Sequence, residues 1–576
     1  MKIHERIIEL FEAEGINNLF GIPDPSFFSM FIHAESRGWN VVAPHHEEAA
    51  SFMAEAAWRM SGKPAVVIGN KGPGVANLLS GAVHAAKENT PTIYIGGQRH
   101  RLYEQRVRRG KMQYLSQPRL FEPAMKYVGV IEYPEQTDEI VREAIRRALD
   151  GTPGPVYIDF PQNVLGVELK DTPKLTPTQY RLVDQQAGAD AIASAVDVLK
   201  SAQSPILLVG QGAHVTRAQA AVGALALALD CPIIQTTGAP SVIEGMDDRT
   251  FLYGTPVANE IVGDSDAVIA IGTELGEPLH YGRGHHWSRG RTDRKWMYIE
   301  KDASAIGVNR PIDVPLVGDL RAVVPQLTAA VQGQVQRRCE RLPGWAAEQA
   351  RQFEEATAAV STTSQPIHPA RLAVEASRVL PKDAVIVRDG GASSLFMSPY
   401  MQFRPRDYFW NQNYGSIGPG LPYAVGAQVA LGDTRRVVLL TGDSSFMFHL
   451  TELETAVRKN LPVVCVVWVD HAWGIEVASY RAGLGKDAFV GEAQWSTGVR
   501  LDRAAEAFGA HGEYVERAED IGPAVERALA SGKAAVVHVE VDAEANWDMP
   551  NLPGIGEFRT WYGEAGDNLG DPRGSY

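Results

Sequence analysis

Two carboxylates in the last third of this 576-residue chain are spaced so that they could share a metal ion. Asp443 closes the β-branched run RVVLLTG and is followed by Ser444, Ser445 and a helical pattern, FMFHLTELETAVRKN. A carboxylate at the carboxyl edge of a strand can hold a cation, and free N–H groups at the next helix start can take phosphate oxygens. Gly442, Asp443, Ser444 and Ser445 therefore suit a metal-bridged phosphate. Asp470 ends the following run, PVVCVVWVD, 27 positions later (470 − 443), one helix and one strand further on. Both carboxylates then stand at the same edge of neighbouring parallel strands, where open αβ sheets place ligands. From there they can reach one octahedral ion, with the Ala472 carbonyl as a third oxygen. Two ordinary strand-end aspartates capping helices would leave the same pattern. Glu47, in VVAPHHEEAASFMAEAAWRMSG, begins a helix whose Ala49, Ala50, Met53 and Ala54 face a core. A carboxylate there complements the helix dipole; buried beside a ligand, it could instead hydrogen-bond a ring nitrogen. The turn VVIGNKGPG and the helix and strand after it leave a crevice at its side.

The elements that must position these groups alternate. Short apolar strands (Val41–Val42, Ala65–Ile68, Thr92–Ile95, Val156–Ile158) are separated by helical stretches, the pattern of parallel sheets with crossover helices. A second such unit runs from PILLVG and GQGA through DAVIAIG and KWMYIE, and a third from DAVIVRDGG to AAVVHVEVD. The expected class is α/β, with three αβ domains over 1–165, 190–332 and 366–545 and a tail, 546–576, that is a docked lid or a disordered end. The aperiodic stretch 166–186 reads as a linker and 333–366 as a helical one.

A 45% hydrophobic content over this length exceeds what one core can use, and a net charge of -14 argues against nucleic acid or an anionic membrane as the main partner. Cys231, Cys339 and Cys465 lack metal-ligand spacing and read as reduced thiols, and no apolar run reaches membrane-spanning length. A cytoplasmic location is expected.

Together these residues resemble the thiamine-diphosphate enzymes of the pyruvate decarboxylase, benzoylformate decarboxylase and acetolactate synthase type, over essentially the whole chain. H-H-E-E-A-A is similar to the family's R-H-E-x-x-A. G-D-S followed by D-H-A-W-G is similar to its G-D-G…N-N cofactor motif, and Y-G-S-I-G-P-G-L-P (414–422) and G-P-G-x-x-N (72–77) to two loops around the cofactor. The resemblance implies two cofactor-binding folds, for the pyrimidine and the diphosphate, flanking a central Rossmann-like domain. It implies that Glu47 activates the aminopyrimidine, that Ile417 enforces the bent cofactor, and that Gly415, Trp473 and Gly474 belong to the cofactor loops. Asp443, Asp470 and the Ala472 carbonyl would hold Mg2+, or Ca2+ or Mn2+. An obligate homodimer, paired into a homotetramer, is implied because the two cofactor halves are usually bound by different subunits. Two departures stand out: Asp470 replaces the usual asparagine, and Ser444 the second glycine of G-D-G. The serine occurs in the oxalyl-CoA decarboxylase and 2-hydroxyacyl-CoA lyase branch.

For the reaction, Glu476 is placed by the resemblance beside the reaction centre as an acid–base group, and Asn70 and Gln113 in the substrate pocket, with Asp24 and Ser26 nearby. His45 and His46 would orient the Glu47 loop. The paired histidines of pyruvate decarboxylase are missing after YIGGQ, where the chain reads RHRLYEQRVRRGK. That basic loop, 99–112, suits an anionic substrate such as a phosphate-bearing thioester, or equally a solvated or subunit-contact surface, and NRPIDVPLVGDL and GDSSFMF resemble the acyl-CoA branch; the resemblance implies cleavage of a 2-hydroxyacyl-CoA into formyl-CoA and an aldehyde or ketone. The alternatives are an acetolactate-synthase-like 2-oxo acid decarboxylase or carboligase and a non-catalytic cofactor-fold binding protein. The GQGA turn is compatible with a nucleotide such as ADP or FAD, or with structural use, the reading adopted.

Overall fold

The computed structural model describes residues 1–547 except 105, 171, 239–242, 284–286, 288–292, 336–337, 362–364, 412 and 488–490. Most of the tail, read above as a docked lid or a disordered end, therefore lies outside the described residues.

The chain forms three six-stranded sheets in which all pairings are parallel. In spatial order the first sheet holds Asn40–Val42, Asn18–Gly21, Val66–Gly69, Ile93–Gln98, Val156–Pro161 and Tyr127–Val130. The third holds Asp407–Phe409, Val385–Arg388, Val437–Gly442, Val464–Val469, Ala535–Glu540 and His511–Val515. Numbered within its own unit, each reads 2-1-3-4-6-5. The central sheet, Thr250–Leu252, Ile233–Gln235, Pro205–Val209, Ala267–Ile271, Lys295–Glu300 and Val314–Val317, reads 3-2-1-4-5-6, the dinucleotide-binding order. In both orders a crevice opens at the carboxyl ends beside strand 1, where the winding reverses. Helices cover both faces, so the inner strands are continuous apolar runs; Val437–Gly442 and Val464–Val469 are buried at every position. The stretch read as a helical linker contains the helix Leu342–Val360. No helix among the described residues is long and apolar enough to cross a membrane.

The first and third units share one hydrophobic core, which runs through the helices Glu47–Ser61 and Gly420–Leu431. A Cβ on Gly426 would lie 2.2 Å from the Met53 carbonyl oxygen, so the absence of a side chain there sets how closely the two helices approach. Sealed in this seam is an ionic cluster. Arg59 donates to Glu55 at 2.5 Å and lies 3.6 Å from Glu88; His84 Nε2 is 3.2 Å from Glu55 and 2.7 Å from the Tyr423 hydroxyl. Glu88 also accepts the Tyr414 N–H at 2.8 Å. One guanidinium serves two buried carboxylates, and the Glu88 carboxyl is pushed up to about 7, first by burial and then by the charge of Glu55.

A carboxyl raised on folding contributes stability that is complete below its unfolded value and is lost as pH rises through about 7. Thermal unfolding should show stability falling between about pH 5 and about pH 8 from this source. Glu88→Gln keeps the acceptor for Tyr414 and should flatten that fall, by up to about 3 kcal/mol.

Candidate active site

The two aspartates singled out by their spacing meet in the structure. Asp443 follows the last residue of its strand and starts the helix Asp443–Phe448; Asp470 follows the neighbouring strand, and both are buried. Asp443 accepts the Ser444 N–H at 2.7 Å and the His471 N–H at 2.9 Å, the latter delivered by a left-handed backbone at His471 (φ 54°). One oxygen of Asp470, Oδ2, accepts from Asn546 Nδ2 at 2.7 Å and Trp547 Nε1 at 2.9 Å; the other accepts the Ala472 N–H at 3.3 Å. Burial raises both carboxyls above the ordinary range, with the charge of Asp470 adding to the rise at Asp443. A divalent cation is the group that would neutralise such a pair. Beside it the Ser445 hydroxyl is buried and finds no hydrogen-bond partner among the described residues. A Cβ on Gly442 would lie 2.6 Å from Ser393 Oγ, and one on Gly474 2.5 Å from Asp470 Oδ2. Both glycines are thus required by close approach. A buried acid pair, an unsatisfied hydroxyl and bare backbone at the head of a crevice fit a metal-bridged phosphate ester.

A cavity of about 990 Å3 opens on this pair. Gly442, Asp443, Ser444, Asp470 and Ala472 line it, with Gly415 and Ile417 from the 414–422 loop and Trp473, Gly474 and Glu476 from the start of the helix Gly474–Leu484. Glu476 keeps solvent contact there, while the protein atoms crowding its carboxyl raise its pKa. Trp473 is held edge-on between Phe448 and Trp495, at 5.8 and 5.5 Å. The cavity continues to the crevice of the central sheet, where Gly210, Gly212 and Gly272 line it. Those glycines are explained by packing, since a Cβ on Gly212 would lie 2.8 Å from the Gly272 Cα.

Glu47, Asn70 and Gln113 do not line this cavity. They gather in the crevice of the first unit. Half-buried Glu47 accepts from Asn77 Nδ2 at 2.9 Å, and its Oε1 would be 3.0 Å from a Cβ on Gly74. Asn70 Oδ1 is buried and finds no partner among the described residues. Gln113 (φ 55°) lays its carbonyl against Gly72, where a Cβ would be 2.6 Å away. Asp24 and Ser26 face Lys71 Nζ at 3.8 and 3.2 Å.

Four residues escaped the sequence reading as site residues. Asn77 was already inside the 72–77 motif and only its role was missed. Asp389, at the end of DAVIVRD, repeats the strand-end pattern of Asp443 and could have been found by it. It is buried, accepts the N–H groups of Gly390, Gly418 and Gly420 at 2.7 to 2.9 Å, and is pushed up to about 6 by burial. Through those bonds it anchors the loop carrying Ile417. Asn546 and Trp547 reach Asp470 across 76 and 77 positions, and no local pattern announces that contact.

Three family models match in order along the chain. The description "Thiamine pyrophosphate enzyme, N-terminal TPP binding domain" matches residues 1–120, its central domain 192–327 and its C-terminal TPP binding domain 389–539. Among similar proteins, the acetolactate synthase of Bacillus subtilis (strain 168) is 26% identical, covering 95% of this chain and 94% of that one. A probable acetolactate synthase large subunit of Methanococcus aeolicus is 27% identical over 95% and 93%. A sulfoacetaldehyde acetyltransferase of Alcaligenes xylosoxydans xylosoxydans is 26% identical over 93% and 92%.

Trp547 donates to Asp470 and lies under the Arg481 guanidinium, 4.6 Å from its ring centroid. Trp547→Phe keeps much of that stacking and removes the donor. Calorimetric titration with Mg2+ should then show affinity reduced about 10- to 100-fold, the usual effect of losing an outer partner of a metal ligand.

Proposed function

The chain belongs to the thiamine-diphosphate-dependent enzymes, and from that premise we propose that it is a decarboxylase or carboligase acting on a small 2-oxo acid, making or breaking the bond next to the carbonyl. The observation that carries this reading is the sharing of one cavity by the buried Asp443–Asp470 pair and the Glu476 carboxyl. The acetolactate synthases similar to the chain over nine-tenths of its length support the choice of substrate class.

Asp443, Asp470 and the Ala472 carbonyl would hold Mg2+ against the diphosphate, with the unsatisfied Ser445 hydroxyl available to its oxygens. When bound, thiamine diphosphate supplies a carbon nucleophile and an electron sink for the cleaved bond. Glu47, steadied by Asn77, would hold a proton at the pyrimidine ring nitrogen. Because Glu47 does not line the cavity of its own chain, a second copy supplies it, making a homodimer the smallest active form. Ile417, on the cavity wall, would pack against the cofactor, and Glu476, whose pKa is raised by burial, would exchange a proton with the substrate oxygen. Asn70, with its unsatisfied Oδ1, and Gln113 face the substrate from the partner's side.

Cleavage of a 2-hydroxyacyl-CoA is a second reading, favoured by the exposed Arg106, Arg108 and Arg109 of the 99–112 loop, which would receive the phosphates of coenzyme A. Turnover of pyruvate without coenzyme A supports the first reading; formyl-CoA released from a 2-hydroxyacyl-CoA, with pyruvate inert, supports the second.

Glu47→Gln and Glu476→Gln should each lower kcat by about 100-fold or more without altering the unfolding transition. Mixed dimers of Glu47→Gln and Asp443→Asn chains should recover turnover that neither variant shows alone, since one of their two sites is intact. No recovery on mixing would exclude the shared site.

A further inference from the structure

A second place in the molecule presents metal-ligand atoms to a common point, away from the Asp443–Asp470 pair. His46, Glu48 and His449 each offer one ligand atom, and these atoms lie within 4.8 Å of one another. The set bridges two units: His46 and Glu48 flank Glu47 at the start of the helix Glu47–Ser61, and His449 follows the helix Asp443–Phe448.

The hydrogen bonds around the cluster show what it lacks. His449 is 6% exposed and its Nδ1 lies 3.0 Å from the Gly418 carbonyl oxygen, a bond that requires the proton on Nδ1. In the neutral ring Nε2 then carries a lone pair, and it faces Glu48 Oε2 at 3.7 Å. Two acceptors set against each other repel unless a proton or a metal cation lies between them. The separation suits two ligands of one ion, because tetrahedral zinc with bonds of about 2.0–2.1 Å spaces its ligands by about 3.3 Å. The Nδ1–H to carbonyl bond is also the outer contact that orients metal-bound histidines. His46 completes the set from the exposed side; its Nδ1 accepts only the Glu48 N–H, at 3.2 Å, among the contacts found for it.

We propose that His46, Glu48 and His449 form a site for a borderline divalent transition metal, Zn2+ foremost, that ties the first unit to the third across the start of the Glu47 helix. Two imidazoles and one carboxylate select zinc, cobalt or nickel over magnesium, and the exposed side leaves a coordination position for water. Binding fixes the residues on both sides of Glu47. Transition-metal ions thereby act on the activating carboxylate without occupying the Asp443–Asp470 pair.

The test uses tag-free full-length protein in saturating Mg2+ and thiamine diphosphate, titrated with Co2+ and followed by its visible absorption. The expected result is one equivalent per chain with the strong bands of low-coordinate cobalt, displaced by Zn2+. His449→Asn keeps an N–H for the Gly418 carbonyl, His46→Asn keeps a capping oxygen, and Glu48→Gln keeps the side-chain shape. Each should weaken cobalt binding by more than about 10-fold, at least what loss of an outer partner costs. If one variant fails to fold, the other two decide. Absence of the cobalt bands, as when a proton alone joins His449 to Glu48, overturns the site, as does a titration unchanged in the folded variants. The absorption reports the metal and not turnover, so the result stands whatever substrate the enzyme takes.

Discussion

Two carboxylates are buried side by side at the carboxyl edge of the third sheet, and much of the surrounding structure answers the cost of putting them there. Like charges in a low-dielectric setting repel strongly unless donors and a cation compensate. The donors are visible. The Ser444 and His471 N–H groups hold Asp443, and Asn546, Trp547 and the Ala472 N–H hold Asp470. Gly474 has no side chain because Asp470 occupies that space. The left-handed turn at His471 exists where an N–H must be aimed back at Asp443. An aspartate in place of the family's usual asparagine adds a charge, and the two side-chain donors on Oδ2 are the local answer to it.

The same segment ties the edge bearing Asp443 and Asp470 to the cavity wall. Arg481 sits on the helix that also carries Glu476; it pairs with Glu544 and lies over the Trp547 ring. Asp470 and the Glu476 helix are therefore fastened to one short helix, Ala543–Trp547. A disturbance there reaches both Asp470 and the helix that carries Glu476.

The seam between the first and third units is a constraint of a different kind. Its core is shared, so neither unit completes its own packing alone. The Arg59, Glu55, Glu88, His84 and Tyr423 cluster lies within it, and the backbones of the two helices approach as closely as Gly426 allows. This rigid joint fixes Glu47 relative to the third unit of its own chain while turning it away from that chain's cavity. The shared site of two copies follows from this arrangement in the proposed reading.

By itself the amino-acid order determined the class of the fold and singled out the candidate site groups. Those signals are local or periodic: β-branched runs ending in Asp443 and Asp470, their 27-residue spacing, and the motifs around Glu47 and Ile417. The strand orders came only from the structure. The first and third units share one order and the central unit has another, because neighbouring strands are chosen by crossover packing and not by strand composition. Contacts between distant segments were likewise decided by tertiary structure: Trp547 and Asn546 on Asp470, Asp389 on the Gly418 and Gly420 amides, and His449 opposite Glu48. Each joins residues that no helical or strand period connects, so only packing brings them within reach.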